Sequence, residues 1–151
     1  MTGYNHVATG AIIALSIKEP AIALPLAFAS HFVLDALPHY GADFHQRKKY
    51  PAFLRIVGTD LVLTPLAIVL VSLLAHSWLV FGAMLLAICP DIVWFGKYYY
   101  DWRKNLPFQL PQDVFSRFHK RIQWAERSDA LGMGIELATA LLATAAIIAL
   151  V

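Results

Sequence analysis

The chain has 151 residues, of which 59% are hydrophobic and 15% are charged. An average soluble domain is about 45–50% apolar and about 25% charged, so this composition excludes an ordinary soluble globule and predicts an integral membrane protein. The net charge of +2 carries little information by itself, and we expect no nucleic-acid partner. The single Cys89 excludes an internal disulfide.

Five apolar segments follow one another along the chain. They run from about residue 4 to 17, from 20 to 37, from 56 to 75, from 78 to about 98, and from 130 to 151. About 20 apolar residues cross a typical bilayer core, so the first segment is either a short span or a re-entrant helix. We therefore predict an all-α polytopic membrane bundle of four to five transmembrane helices, with residues 1–151 forming one integral membrane domain.

The polar stretch 99–128 is predicted to be a cytoplasmic interfacial segment within this domain. Its second half, DVFSRFHKRIQWAER, spaces apolar side chains roughly at the helical period and has a basic opposite face. This pattern favours an amphipathic helix that lies on the lipid headgroups. A soluble cap packed on the bundle is the alternative.

Basic residues define a topology. Residues 46–55 and 97–127 contain every Lys and Arg except Lys18. The positive-inside rule places both stretches in the cytoplasm, together with the N-terminus, and it places the turn at residues 76–77 on the far side. We expect an integral protein of a prokaryotic inner membrane.

Seven ionisable side chains interrupt or border the apolar segments. A charge at the bilayer centre costs roughly 2.5–3.5 kcal/mol on insertion scales, so each requires a physical reason. Under the topology above, all seven fall in the cytoplasmic half of their segments. They are His6, His31, Asp35, His39, Asp60, Asp91 and Glu136.

A divalent metal ion would explain this gathering of polar groups. In SHFVLDALPHY, residues 30–40, His31, Asp35 and His39 are four residues apart and share one helix face. Imidazole and carboxylate together suit zinc, with manganese or iron as alternatives. Three of these residues also have an alternative explanation that involves no metal. They are His6 as a hydrogen-bonded histidine at a helix end, Asp60 as an interfacial cap and Glu136 as a member of an ion pair. The predicted metal ligands are His6, His31, Asp35, His39, Asp60 and Asp91.

Asp91 and His119 are the predicted catalytic residues. Asp91 follows Pro90, so an acid and a helix breaker lie together inside an apolar segment. His119 precedes Lys120 and Arg121, and basic side chains pair well with phosphate oxygens. An ordinary surface histidine beside headgroups is the alternative for His119.

One short motif and the overall plan of the chain each resemble a known family. HFVLDALPH resembles the His-x3-Asp motif of the zinc-dependent phospholipase C and single-strand zinc nuclease superfamily, and the match covers about ten residues. This resemblance implies that His31 and Asp35 bind zinc. The overall plan, with His6 in YNHVATGAIIA near the start of a first apolar helix, resembles the small inner-membrane proteins known as membrane-bound metal-dependent hydrolases.

These observations favour an enzyme, a metal-dependent hydrolase that acts on a phosphoester of a lipid or other amphiphile at the cytoplasmic leaflet, with membrane lipid as its partner. The alternatives are a metal-ion or proton transport protein and a non-catalytic membrane interaction protein. A transporter needs polar groups that reach the far side of the membrane. The one-sided distribution therefore favours a site over a channel.

Overall fold

A computed structural model describes residues 1–40, 51–104, 113–122 and 129–151. Within these ranges the chain is all-helical, which confirms the predicted class. The helices are α1 (Gly3–Ser16), α2 (Pro20–Asp35), α3 (Pro51–Ala75), α4 (Trp78–Arg103), α5 (Val114–Ile122) and α6 (Asp129–Leu150). Arg47, Lys48, Lys49 and Arg127, which contribute to the predicted topology, lie outside the described residues.

Helix α4 continues into the stretch that was predicted to be interfacial. It ends at Arg103, whereas the predicted segment begins at residue 99. No proline follows Pro90 until Pro107, and an ion pair between Lys97 and Asp101 joins successive turns of the helix. The described part of the predicted segment is therefore the last turn of α4 followed by the separate helix α5.

Short turns pair the helices as antiparallel neighbours. Pro20 begins α2, where its missing N–H costs no hydrogen bond. His76 ends α3 in the left-handed region, with φ of 47°, and the Ser77 hydroxyl accepts a hydrogen bond from the Val80 N–H at 3.4 Å. The turn predicted at residues 76–77 is thus present.

Helix α1 lies at the centre and contacts α2, α3, α4 and α6. A Cβ added at Gly10 would lie 2.7 Å from the Ala83 carbonyl oxygen, so the backbones of α1 and α4 approach closely through a small residue. With 14 residues, α1 is about 21 Å long, less than the roughly 30 Å of a bilayer core. Four neighbouring helices surround it, and its buried apolar side chains are Val7, Ala8, Ala11, Ala14 and Leu15.

Two of the described helices are long and apolar enough to cross a membrane. These stretches are Arg55–Ala75 and Ala130–Leu150, and only 11% and 17% of their most apolar windows are buried. The core helix of a soluble protein would be mostly buried, whereas here large apolar side chains such as Leu142 point outward and are 73% exposed. The remaining apolar helices are shorter, so the larger number of four to five spans stays a prediction.

Helix α5 packs on α2 through phenylalanine rings. Phe32 of α2 lies edge-on to Phe115 and Phe118 of α5, with ring centroids 5.7 and 5.5 Å apart. The Asp113 carboxylate caps α5, because it accepts hydrogen bonds from the Ser116 N–H at 2.9 Å and from the Ser116 hydroxyl at 2.7 Å. These bonds hold the pKa of Asp113 below its usual range.

Candidate metal centre

Four side chains from three helices meet at one end of the bundle. His31 and Asp35 come from α2, Asp91 from α4 and His119 from α5, and one potential ligand atom of each lies within 4.8 Å of all the others. His31, Asp35 and His119 are fully buried. This set of imidazole nitrogens and carboxylate oxygens can hold a divalent metal ion. We call these four residues the metal cluster.

Helix α2 supplies two members one turn apart. The His31 Nδ1–H donates to the Ala87 carbonyl oxygen at 2.8 Å, which leaves Nε2 directed at the cluster. The His31 Nε2 lies 3.3 Å from Asp35 Oδ2 and 3.1 Å from His119 Nε2. A metal-binding histidine usually has this arrangement, with one nitrogen fixed by a second partner and the other directed at the ion.

Helix α4 contributes Asp91 one turn after Ala87. Residues four apart share a helix face, so the face of α4 that orients His31 also carries this carboxylate. Asp91 Oδ1 lies 3.7 Å from His31 Nε2. Its side chain is 18% exposed, whereas the other three members are fully buried. The cluster therefore reaches the surface at Asp91.

His119 reaches the cluster because α5 folds back over α2. Its Nε2 lies 2.6 Å from Asp35 Oδ2, and its ring is edge-on to that of His31 at 4.8 Å between centroids. The exposed neighbours Lys120 and Arg121 point away on the same short helix. His119 thus occupies the position of a potential metal ligand, and its predicted catalytic role stays a prediction.

His6 of α1 borders the cluster. Its ring stacks on that of His31, with centroids 4.0 Å apart and planes at 22°. Its Nε2 lies 3.3 Å from Asp35 Oδ1 and 3.8 Å from Asp91 Oδ2. The amino group of Met1 lies 2.6 Å from the same oxygen of Asp35. The structure thus brings five of the sequence-predicted site residues together.

Asp60 of α3 lies outside the cluster, against the start of α1. Its carboxylate accepts hydrogen bonds from the backbone N–H of Gly3 at 2.8 Å and of Tyr4 at 2.9 Å, and from the Thr64 hydroxyl at 2.9 Å. The first N–H groups of a helix lack partners within the helix and carry partial positive charge, which a carboxylate stabilises. This geometry matches the cap that the sequence allowed as an alternative.

His39 is buried but also lies outside the metal cluster. Its Nδ1–H donates to the Leu37 carbonyl oxygen at 2.8 Å, and burial lowers the pKa of His39 below its ordinary value. Helix α6 packs closely on this stretch, since a Cβ added at Gly132 would lie 2.9 Å from the Tyr40 backbone nitrogen. His39 was predicted to be a metal ligand, but the structure does not place it among the four residues of the metal cluster.

Sequence reasoning missed a second polar group around Glu136 of α6. One Glu136 oxygen accepts hydrogen bonds from the Thr2 hydroxyl at 2.9 Å and from the Asn5 side-chain amide at 2.8 Å. It also accepts one from the Thr2 N–H at 3.1 Å. Asn5 directly before His6, inside an apolar helix, was the available signal. This group anchors the start of α1, which carries His6.

Comparison of the chain with protein-family models, with curated proteins and with solved structures finds no match. Functional interpretation therefore depends on the chemistry of the cluster itself.

Proposed function

We propose that this protein is a membrane-embedded, metal-dependent hydrolase that cleaves a phosphoester of a lipid or other amphiphile at the cytoplasmic leaflet. The observation that carries the proposal is the metal cluster, in which two imidazoles and two carboxylates from three helices converge within 4.8 Å. Zinc is the proposed ion, because mixed nitrogen and oxygen ligands in a compact site suit it.

Hydrolysis would occur at the exposed edge of the cluster. A bound divalent ion lowers the pKa of its water to about 7 and stabilises charge on a phosphoryl oxygen. Asp91 is partly exposed, so an ester that approaches from the surface would reach the cluster on this side. The water oxygen would form the new bond to phosphorus, the ester P–O bond would break, and the alcohol would leave with a proton from the water.

The position of the cluster supports an amphiphilic substrate. The exposed side chains Arg117, Lys120 and Arg121 share helix α5 with His119, so cationic groups that suit an anionic headgroup belong to the element that completes the cluster. The proposed topology has four to five spans, with α5 at the cytoplasmic headgroups and the N-terminus in the cytoplasm. In this arrangement the cluster lies near headgroup depth.

The distribution of charge argues against transport. The buried ionisable side chains of the described helices are His6, His31, Asp35, Asp101, His119 and Glu136. All lie toward the end of the bundle that holds the start of α1 and the end of α2. A pathway across the membrane would need such groups along its whole length.

Metal analysis and phosphoester turnover test the proposal together. Protein purified without chelator should contain a divalent ion. Asp35→Asn should lower metal affinity at least about tenfold, because removing a group that only supports a ligand already costs about that much, and Asp35 is a proposed ligand itself. His76→Gln, at the turn between α3 and α4, is the control and should retain the ion. Wild type should hydrolyse phosphoesters presented in lipid vesicles, and a chelator should abolish the turnover.

Two results would refute the proposal. One is equal metal affinity in wild type and Asp35→Asn. The other is metal-loaded protein that cleaves none of a panel of glycerophospholipids, polyprenyl phosphates and small aryl phosphoesters.

A further inference from the structure

The two ring nitrogens of His6 make no hydrogen bond within the described part of the chain, although the residue is completely buried. A buried imidazole that makes no hydrogen bond is costly, because its polar atoms have lost water without a full replacement. Its Nε2 is directed at two carboxylates, with 3.3 Å to Asp35 Oδ1 and 3.8 Å to Asp91 Oδ2. A ligand between these three groups would satisfy them all.

The two carboxylates divide their oxygens between two sets of imidazoles. Asp35 Oδ2 faces His31 and His119, at 3.3 and 2.6 Å, while Asp35 Oδ1 faces His6. Asp91 repeats the pattern, with Oδ1 at 3.7 Å from His31 and Oδ2 toward His6. Each carboxylate therefore presents one oxygen to each side, which is the arrangement of a carboxylate that bridges two metal ions.

The histidine spacing agrees with two ions. The rings of His6 and His31 are nearly parallel, and their centroids are 4.0 Å apart. In two-metal hydrolytic sites the ions are about 3.5–4 Å apart. Stacked imidazoles at this separation, with both Nε2 atoms directed at the same pair of carboxylates, can each bind a separate ion.

We propose that the cluster is a dinuclear metal centre, in which Asp35 and Asp91 bridge an ion bound by His6 and an ion bound by His31 and His119. The inference rests on the proposed function for its chemistry, and it adds His6 as the ligand that defines the second ion. Two divalent ions carry more positive charge than two carboxylates neutralise, so the centre attracts an anionic phosphoester. The Met1 ammonium group donates a hydrogen bond to Asp35 Oδ1, and the second ion would replace it as the positive partner of this oxygen.

Metal stoichiometry tests the second ion directly. Full-length protein in detergent micelles is stripped of metal, titrated with Zn²⁺ or Mn²⁺, separated from free ion and analysed for metal per chain. Wild type should bind two equivalents and His6→Ala should bind one. His39→Ala removes another buried imidazole, which lies outside the cluster, and should still bind two. Saturation of wild type at one equivalent, or two equivalents in His6→Ala, would overturn the dinuclear assignment.

A second measurement does not require any variant to fold. In wild type loaded with two equivalents of Mn²⁺, carboxylate bridges should produce the electron paramagnetic resonance spectrum of two interacting ions. A half-loaded sample should give more of the six-line spectrum of isolated Mn²⁺. If the fully loaded protein gives only the spectrum of isolated ions, the bridged pair does not exist.

These results separate the dinuclear centre from the proposed reaction. Two interacting ions without phosphoester turnover would support the centre and refute the hydrolase. Turnover by a protein that binds a single equivalent would support the hydrolase and refute the second ion.

Discussion

Asp35 is the residue on which the cluster depends most. Its two oxygens lie within 3.3 Å of three imidazoles and of the Met1 amino group, and its side chain is fully buried. A buried carboxylate is tolerated only when its charge is compensated. Its neighbour His31, one turn earlier, was predictable as a partner because residues four apart share a helix face. The approach of His6 and His119 from other helices was not predictable in this way.

Asp60 shows how similar acids take different roles. Both Asp60 and Asp91 interrupt apolar helices, but Asp60 accepts two backbone N–H groups at the start of α1. Asp60→Ala leaves these donors without an acceptor, and we expect unfolding stability in detergent to fall by about 1–3 kcal/mol. Metal bound per folded chain should stay unchanged, as measured by thermal unfolding and by metal analysis of the same sample.

Thr59→Ala is the matched control, because Thr59 is the exposed neighbour of Asp60 on α3. It should change stability by less than about 0.5 kcal/mol. Loss of metal in Asp60→Ala with unchanged stability would assign Asp60 to the metal centre and refute the capping role.

At the scale of helices, the contact between α1 and α4 sets the geometry of the site. Gly10 lies one turn after His6, and a Cβ there would lie 2.7 Å from the Ala83 carbonyl oxygen and 2.9 Å from the Ala87 side chain. Gly10→Ala would force the two helices apart, at a cost of about 1–3 kcal/mol typical of overpacking. It should also weaken metal binding, since the Ala87 carbonyl orients His31.

Gly58→Ala provides the comparison, because nothing lies within 4 Å of a Cβ at that position on α3. Alanine is favoured over glycine in helices by roughly 0.5–1 kcal/mol, so this variant should be at least as stable as wild type. Thermal unfolding and zinc titration of both variants measure the difference. Equal behaviour of the two variants would contradict the close approach.

The helices were predictable to a greater extent than their arrangement. Apolar runs and turn residues located five of the described helices, because span length and proline position are properties of local sequence. The sequence also placed His119 on an amphipathic helix. It contained no signal that Phe115 and Phe118 would pack on Phe32 of α2 and bring His119 to Asp35. Such contacts depend on helix rotation and on long-range packing.

At the scale of the whole molecule, the exposed apolar surface of α6 is the surface that we expect to contact lipid. Leu142, near the middle of α6, is 73% exposed. Leu142→Arg should oppose membrane insertion of α6, since a central arginine costs about 2.5–3.5 kcal/mol on insertion scales. Val151→Arg, at the end of the same helix, should have little effect, because a long basic side chain there reaches the interface. The measurement is the fraction of protein that resists alkaline extraction from membranes.

Normal membrane integration of Leu142→Arg would mean that this face of α6 does not contact lipid. Since α6 anchors Thr2 and Asn5 through Glu136, failed insertion should also reduce bound metal.

The central position of α1 has a consequence for biogenesis. Helix α1 is held at its start by Glu136, a residue 134 positions after Thr2. Until α6 has been synthesised, nascent α1 lacks one of its four neighbours and the anchor that fixes the residues just before His6. The proposed metal centre would therefore form only after α6 has been synthesised. A chain interrupted before α6 would lack the support that holds His6 in the cluster, and it would bind the proposed ions poorly.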